Sequence, residues 1–180
     1  MATVNPIQQQ GVTMIESMIV LFVLSIVIGT TLPSFQSLRQ RADLAGVAAQ
    51  LETDVQFARG QARAMNHPVR LTLRETDGGT CYMVHTGASA DCSCGIAKQP
   101  AACGGESELL RAVTLDPKDG VQVRSASKSV AFDPLKGTVT PTATLRVEAR
   151  DGRAIHQVVN LLGRVRSCSP QGRSAGDLAC

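Results

Sequence analysis

The sequence predicts an α+β protein, one long amino-terminal helix followed by an antiparallel β-sheet domain, and three observations carry that reading. Ser17 to Leu38 is a run of 22 uncharged, mostly apolar residues. A stripe of apolar residues spaced three and four apart then continues to Met65. After Pro68 the period drops to two. A helix hides one stripe and a strand hides alternate residues, so the change of period marks the change of element.

The apolar run is long enough to cross a bilayer, for which about 20 residues suffice. A cleavable secretory signal has a shorter apolar region, about 7 to 15 residues, behind basic residues and ahead of a small-x-small site. None of those features is present. A helix buried in a soluble core keeps a polar face, and this run has none for most of its length. Just before it Glu16 stands alone, the only ionisable residue between Met14 and Leu38. A carboxylate near the middle of a membrane helix costs roughly 2.5 to 3.5 kcal/mol, so Glu16 is a functional position in need of a partner. Orientation signals conflict. Arg39 and Arg41 follow the run and no Lys or Arg precedes it, which places the carboxyl side in the cytoplasm by charge. Six cysteines beyond it suit an oxidising compartment instead.

Past the run, Leu44, Val47, Leu51, Val55, Ala58, Ala62 and Met65 form one stripe of an amphipathic helix. Arg39, Arg41, Asp43, Glu52, Asp54, Arg59 and Arg63 are expected on its watered side. Asn66-His67-Pro68 should end the helix, because the residue before a proline avoids helical geometry. Val69, Leu71 and Leu73 then alternate with polar residues, and Cys81–His85, Leu109–Leu115, Val130–Phe132, Ala143–Ala149 and Ala154–Leu161 read as further strands. Asp77-Gly78-Gly79 and Asp151-Gly152 are turn signals, the second a hairpin between two strands. The part after Leu38 has the size of one compact domain.

Cys81, His85, Cys92, Cys94 and Cys103 lack the paired Cys-x-x-Cys spacing of structural zinc sites. An even count outside the cytoplasm favours disulfides. Cys92 and Cys94 are too close to bond each other easily, leaving Cys81 with one of them and Cys103 with the other. Those bridges would staple the Gly-rich loop between Thr86 and Gly105.

Gly11-Val12-Thr13-Met14-Ile15-Glu16-Ser17 with its apolar run resembles the type IV prepilin signature, a Gly before the cut and a Glu five residues after it. The resemblance implies cleavage between Gly11 and Val12 by the prepilin peptidase on the cytoplasmic side, methylation of the new amino group of Val12, and a carboxyl-terminal domain outside the cytoplasm. It also implies a partner for Glu16, the amino terminus of a neighbouring subunit, and a paired carboxylate is tolerable in low dielectric. Pro33 matches a proline common in pilin helices. The expected organisation is a leader at 1–11, a transmembrane and assembly helix at 12–38, and a pilin-like periplasmic domain at 39–180. Ala58-Arg59-Gly60-Gln61-Ala62, Phe132-Asp133-Pro134-Leu135-Lys136-Gly137 and Gly163-Arg164-Val165-Arg166 extend the likeness to the GspH/FimT family of minor pilins and pseudopilins. Cys168 and Cys180 resemble the closing bridge of many pilins.

Family members act near filament tips, and in the FimT-like branch the late Gly-Arg-x-Arg is associated with DNA binding during uptake. Arg164 and Arg166 alternate, so an extended segment points both to one face, with Gly163 leaving room for close approach. Arg173 lies nearby in sequence. Aromatics are scarce, so double-stranded DNA would be held through phosphates, sequence-independently and with strong salt dependence. The resemblance therefore implies a minor pilin of a type IV pilus, an inner-membrane protein before assembly, with pilin subunits, the peptidase and DNA as partners. The alternatives are a type II secretion pseudopilin that binds protein, and an uncleaved membrane-anchored binding domain. No enzyme is expected. Gly172-Arg173-Ser174-Ala175-Gly176 matches a nucleophile elbow, but no His follows it. The chain has no phosphate loop or dinucleotide fingerprint, and its three histidines suggest no metal or cofactor.

Overall fold

The computed structural model describes residues 13–76, 79–95, 100–170 and 179–180, the side chains of 30–34 excepted. Its contacts divide the chain into two compact units, one up to Arg39 and one from Gln40 to Cys180. A single helix, α1, spans Met14–Met65. Its start is capped by Thr13, whose hydroxyl accepts the Glu16 N–H at 3.4 Å, a weak form of the N-cap bond that satisfies an orphan donor. Glu16 falls in the first turn, where the positive end of the helix dipole favours an anion. The end is set by Asn66, whose φ of 50° leaves the helical region. Asparagine tolerates that conformation better than most residues, and Pro68 forbids continuation, as expected.

In the first unit every described side chain is exposed. Among the described residues no helix is long and apolar enough to cross a membrane. The side chains of 30–34, in the later part of the expected span and including Pro33, lie outside them.

Among the described residues the second unit contains, besides the later part of α1, eleven strands. They are β1 (Val69–Thr76), β2 (Gly79–Thr86), β3 (Cys92–Ser93), β4 (Ala102–Cys103), β5 (Leu109–Leu115), β6 (Val121–Ser125), β7 (Ser129–Phe132), β8 (Val139–Thr140), β9 (Ala143–Ala149), β10 (Ala154–Val159) and β11 (Val165–Cys168). One sheet has the order β5-β2-β1-β7-β8, a second β11-β10-β9-β6, and β3-β4 form a small ribbon. All pairings within these sheets are antiparallel. The inner faces of both larger sheets share one core with the helix, in which Leu44, Leu51, Val55, Ala58 and Ala62 meet Leu71, Tyr82, Phe132, Leu145, Val147 and Ile155. The helix-on-antiparallel-sheet class read from the sequence is what this unit shows.

The departures have physical causes. β3, β4 and β8 are two residues long, too short for any periodic signal. β10 stops at Val159 because Asn160 starts a tight turn, so Leu161 is exposed rather than a strand residue. Met65, the last stripe residue, is 39 % exposed, at the open end of the helix. β2 is buried along nearly its whole length. Tyr82 and Val84 face the helix core, while Cys81 and Met83 are covered by a satellite cluster with Cys92 and Cys94. The segment carrying β3 and β4 is thus a cover over the outer face of the first sheet.

Candidate assembly face and basic turn

Glu16 lies in the first turn of α1, the one charged residue among exposed Met14, Ile15, Met18, Ile19, Val20 and Leu21. Apolar residues surround the helix on all sides there, so no single buried stripe satisfies them and the surface calls for lipid or neighbouring subunits. Gly11 and Val12, the expected cleavage and methylation positions, lie outside the described residues, as do Arg173 and the 172–176 segment.

Asn160 organises the late Gly-Arg-x-Arg. Its side-chain oxygen accepts the Leu162 N–H at 3.0 Å and the Arg164 N–H at 2.9 Å, and the Gly163 N–H returns to its carbonyl at 2.9 Å. Gly163 adopts φ 69°, a left-handed conformation that costs other residues. A Cβ there would come within 3.1 Å of the Arg59 side chain and 3.2 Å of Val139. The structure therefore brings two sequence motifs together, with Arg59 of the helix lying under Gly163. Arg59 Nε is buried there with no hydrogen-bond partner among the described residues. Asp133 closes the neighbouring turn in the same way, accepting from Leu135 and Lys136 N–H at 2.9 and 2.7 Å.

Arg164 and Arg166 are both exposed, and β11 pairs Arg166 with Val158. Ser167, on the opposite face, bonds buried Gln157 at 2.9 Å, and Gln157 donates to the Ala48 carbonyl of α1 at 3.3 Å. That inward anchor fixes which way β11 faces, so Arg166 points to solvent.

All six cysteines are bonded, Cys81 to Cys94, Cys92 to Cys103 and Cys168 to Cys180. The last closes the tail, and the first two resolve the open pairing in favour of Cys81 with Cys94. His85 lies near Cys92 and Cys103, yet those sulfurs are bonded to each other. Its ring is engaged as well, with the Thr72 hydroxyl 2.8 Å from Nε2 and the Thr86 carbonyl 2.8 Å from Nδ1. Asp91 clasps the same segment, accepting from Ser107 and from the Ala88 N–H at 2.7 and 2.8 Å. The Ser107 bond foremost, then the Ala88 bond, hold its carboxyl below the usual carboxylate range.

Asp54, expected in water, is fully buried. It pairs with Arg111 of β5 and accepts the Tyr82 hydroxyl at 2.7 Å, while the Arg111 guanidinium lies 4.7 Å over the Phe57 ring. Burial first, then the bond to Asp54, push the Tyr82 phenol well above its ordinary value. The signal is present in the spacing: Asp54 falls three residues after Leu51 and four before Ala58, on the apolar stripe. It ties the helix to the first sheet and has no substrate-facing geometry. The organising role of Asn160 is hidden in the sequence, because the apolar Leu161-Leu162 that follow it mask an Asx-capped turn.

Two family models match the chain. One, described as type II transport protein GspH, covers residues 47–163, more than half of it. The other, the prokaryotic N-terminal methylation motif, covers residues 7–32. Among solved structures, the type IV minor pilin FimU of Pseudomonas aeruginosa is similar in fold, with a TM-score of 0.51 at 18 % identity over 73 % of this chain and 95 % of that one. A second crystal form of FimU gives 0.47 at 16 % identity over 71 % and 97 %. No curated protein matches the chain.

Proposed function

The chain belongs to the family described as type II transport protein GspH, and from that premise we propose that it is a minor pilin, cut after Gly11, methylated on Val12 and built into a type IV pilus near its tip. Before assembly the apolar half of α1 holds it in the inner membrane as a single pass, with the disulfide-bonded unit in the periplasm, where its bridges are stable. The chain acts by assembly and binding, not by catalysis.

The observation that carries the reading is Glu16, a lone carboxylate on an all-round apolar, exposed helix start. Cleavage frees a cationic amine on a neighbouring subunit, and pairing offsets the desolvation of both charges. The test is Glu16→Ala in cells that make the filament. Membrane insertion is expected to hold or improve, and incorporation into the filament to fall; normal incorporation refutes the assembly role.

DNA capture by the filament is the second part of the proposal, supported by the exposed Arg164 on the Asn160 turn and the exposed Arg166 on β11 beside it. The full chain in detergent is expected to bind duplex DNA through phosphates, and Arg164→Ala with Arg166→Ala to abolish that binding. Unchanged binding at low salt removes this part. The family description favours one other reading, a type II secretion pseudopilin acting on exported protein. Deletion of the gene separates the two, since loss of pili supports the first and loss of secretion with pili intact supports the second.

A further inference from the structure

Strand register places more cations beside Arg166 than the Gly-Arg-x-Arg motif contains. In the second sheet Arg124 of β6 is directly opposite Arg146 of β9, Arg146 is opposite His156 of β10, and Arg166 of β11 is opposite Val158 of β10. Directly paired residues share a face. Val123, Leu145 and Val147 fill the core on the other face, so Arg124, Arg146 and Arg166 all point to solvent, and all three are exposed. Like charges directly opposite one another are unfavourable in a sheet. None of these arginines has a carboxylate in ion-pair contact among the described residues, where the ion pairs are Arg111 with Asp54 and Arg153 with Asp151. The contact Arg124 does make is with the neutral Gln122 amide at 3.3 Å. Within the four strands the one acidic residue on this face is Glu148, half-buried and opposite Gln122 and Ala154. Burial and then Arg146 hold the His156 imidazole below its ordinary value.

A local rule broken without internal compensation points to an external partner. With strands about 4.8 Å apart and Arg166 two residues, about 7 Å, along from the Arg124–Arg146 row, Arg124 and Arg166 stand about 16 Å from each other, a spread wide enough for their side chains to reach phosphates on both sides of the ~12 Å DNA major groove. We propose that the solvent face of the β6-β9-β10-β11 sheet is a phosphate-contacting surface for duplex DNA, in which Arg124 and Arg146 act with Arg164 and Arg166. This rests on the DNA-binding part of the function proposed above. It differs from that reading in making the sheet, not the turn alone, the contact.

The experiment measures binding of a labelled random-sequence duplex by the full chain in detergent across a salt series. Arg124→Ala with Arg146→Ala is expected to weaken binding and to reduce the slope of log K against log salt by about 1.8, from roughly 0.9 for each phosphate no longer neutralised. Arg124→Lys with Arg146→Lys is expected to restore most of the binding, which a change in folding would not do. Unchanged affinity and slope in the alanine pair, with binding lost in Arg164→Ala plus Arg166→Ala, overturns the sheet-wide surface and leaves the turn as the contact. No binding by the wild type, or no effect of either pair, overturns the DNA reading itself. Vesicles rich in phosphatidylglycerol that displace the duplex, and bind through Arg124 and Arg146 more tightly than it does, assign the face to lipid phosphates and also overturn the proposal.

Discussion

Tyr82→Phe removes one oxygen from the buried contact between helix and sheet, and its cost follows from what that oxygen touches. The Tyr82 hydroxyl donates to Asp54 at 2.7 Å, and Asp54 has no exposed surface through which water could replace the donor. A hydrogen bond to a charged group contributes about 1.5 to 3 kcal/mol. In a domain of this size that corresponds to a melting temperature lower by about 5 to 12 °C. The assay is thermal unfolding of the full chain in detergent, followed by β-sheet circular dichroism near neutral pH. The pH dependence gives an independent check. The Tyr82 phenol is raised above its unfolded value in the folded state by burial and then by Asp54. Its stabilisation is therefore fully present below about pH 10 and is lost as the pH rises toward the folded-state value. Above about pH 10 the wild type should lose stability relative to Tyr82→Phe by up to about 1.36 kcal/mol per pH unit. Equal melting temperatures near neutrality would show that the Tyr82–Asp54 bond does not stabilise the fold, and a gap that stays constant through about pH 11 would show that burial and Asp54 do not raise the phenol.

Two further outcomes follow from the basic turn and the tail. Gly163→Ala imposes a left-handed conformation on a residue with a side chain, at roughly 1 to 2 kcal/mol, and crowds Arg59 and Val139 at 3.1 and 3.2 Å; chemical denaturation should show that loss, and an unchanged midpoint would mean the turn relaxes freely. Cys168→Ser with Cys180→Ser opens a bridge of sequence separation 12, which should lower stability by up to about 3 kcal/mol under oxidising conditions, whereas equal stability of the variant and the oxidised wild type would show that the bridge does not constrain the unfolded chain.

What can be read from the chain is local. The end of α1 is visible in Asn66-His67-Pro68, the first strand in alternating Val69, Leu71 and Leu73, and the β9–β10 hairpin in Asp151-Gly152. Each signal lies within a few residues, where steric rules act directly. The short strands β3 and β4 escape because a disulfide between Cys92 and Cys103, not propensity, holds them side by side. The partner of Cys81 depends on how the loop folds over the first sheet. Asp54 is misleading because its charge suggests water while its spacing puts it on the buried stripe. The arginine row is invisible for a different reason: Arg124, Arg146 and Arg166 meet only through the register of four strands, and register is a property of the assembled sheet.

The role proposed for Glu16 stands or falls with a subunit whose amino terminus is made by cleavage. Intact mass of the protein from cells that carry the prepilin peptidase decides this. The expected species is a chain beginning at Val12 with one methyl group on its amino nitrogen and six oxidised cysteines. A chain beginning at Met1 or Ala2 in those cells contradicts the pilin reading and leaves an uncleaved, membrane-anchored binding domain.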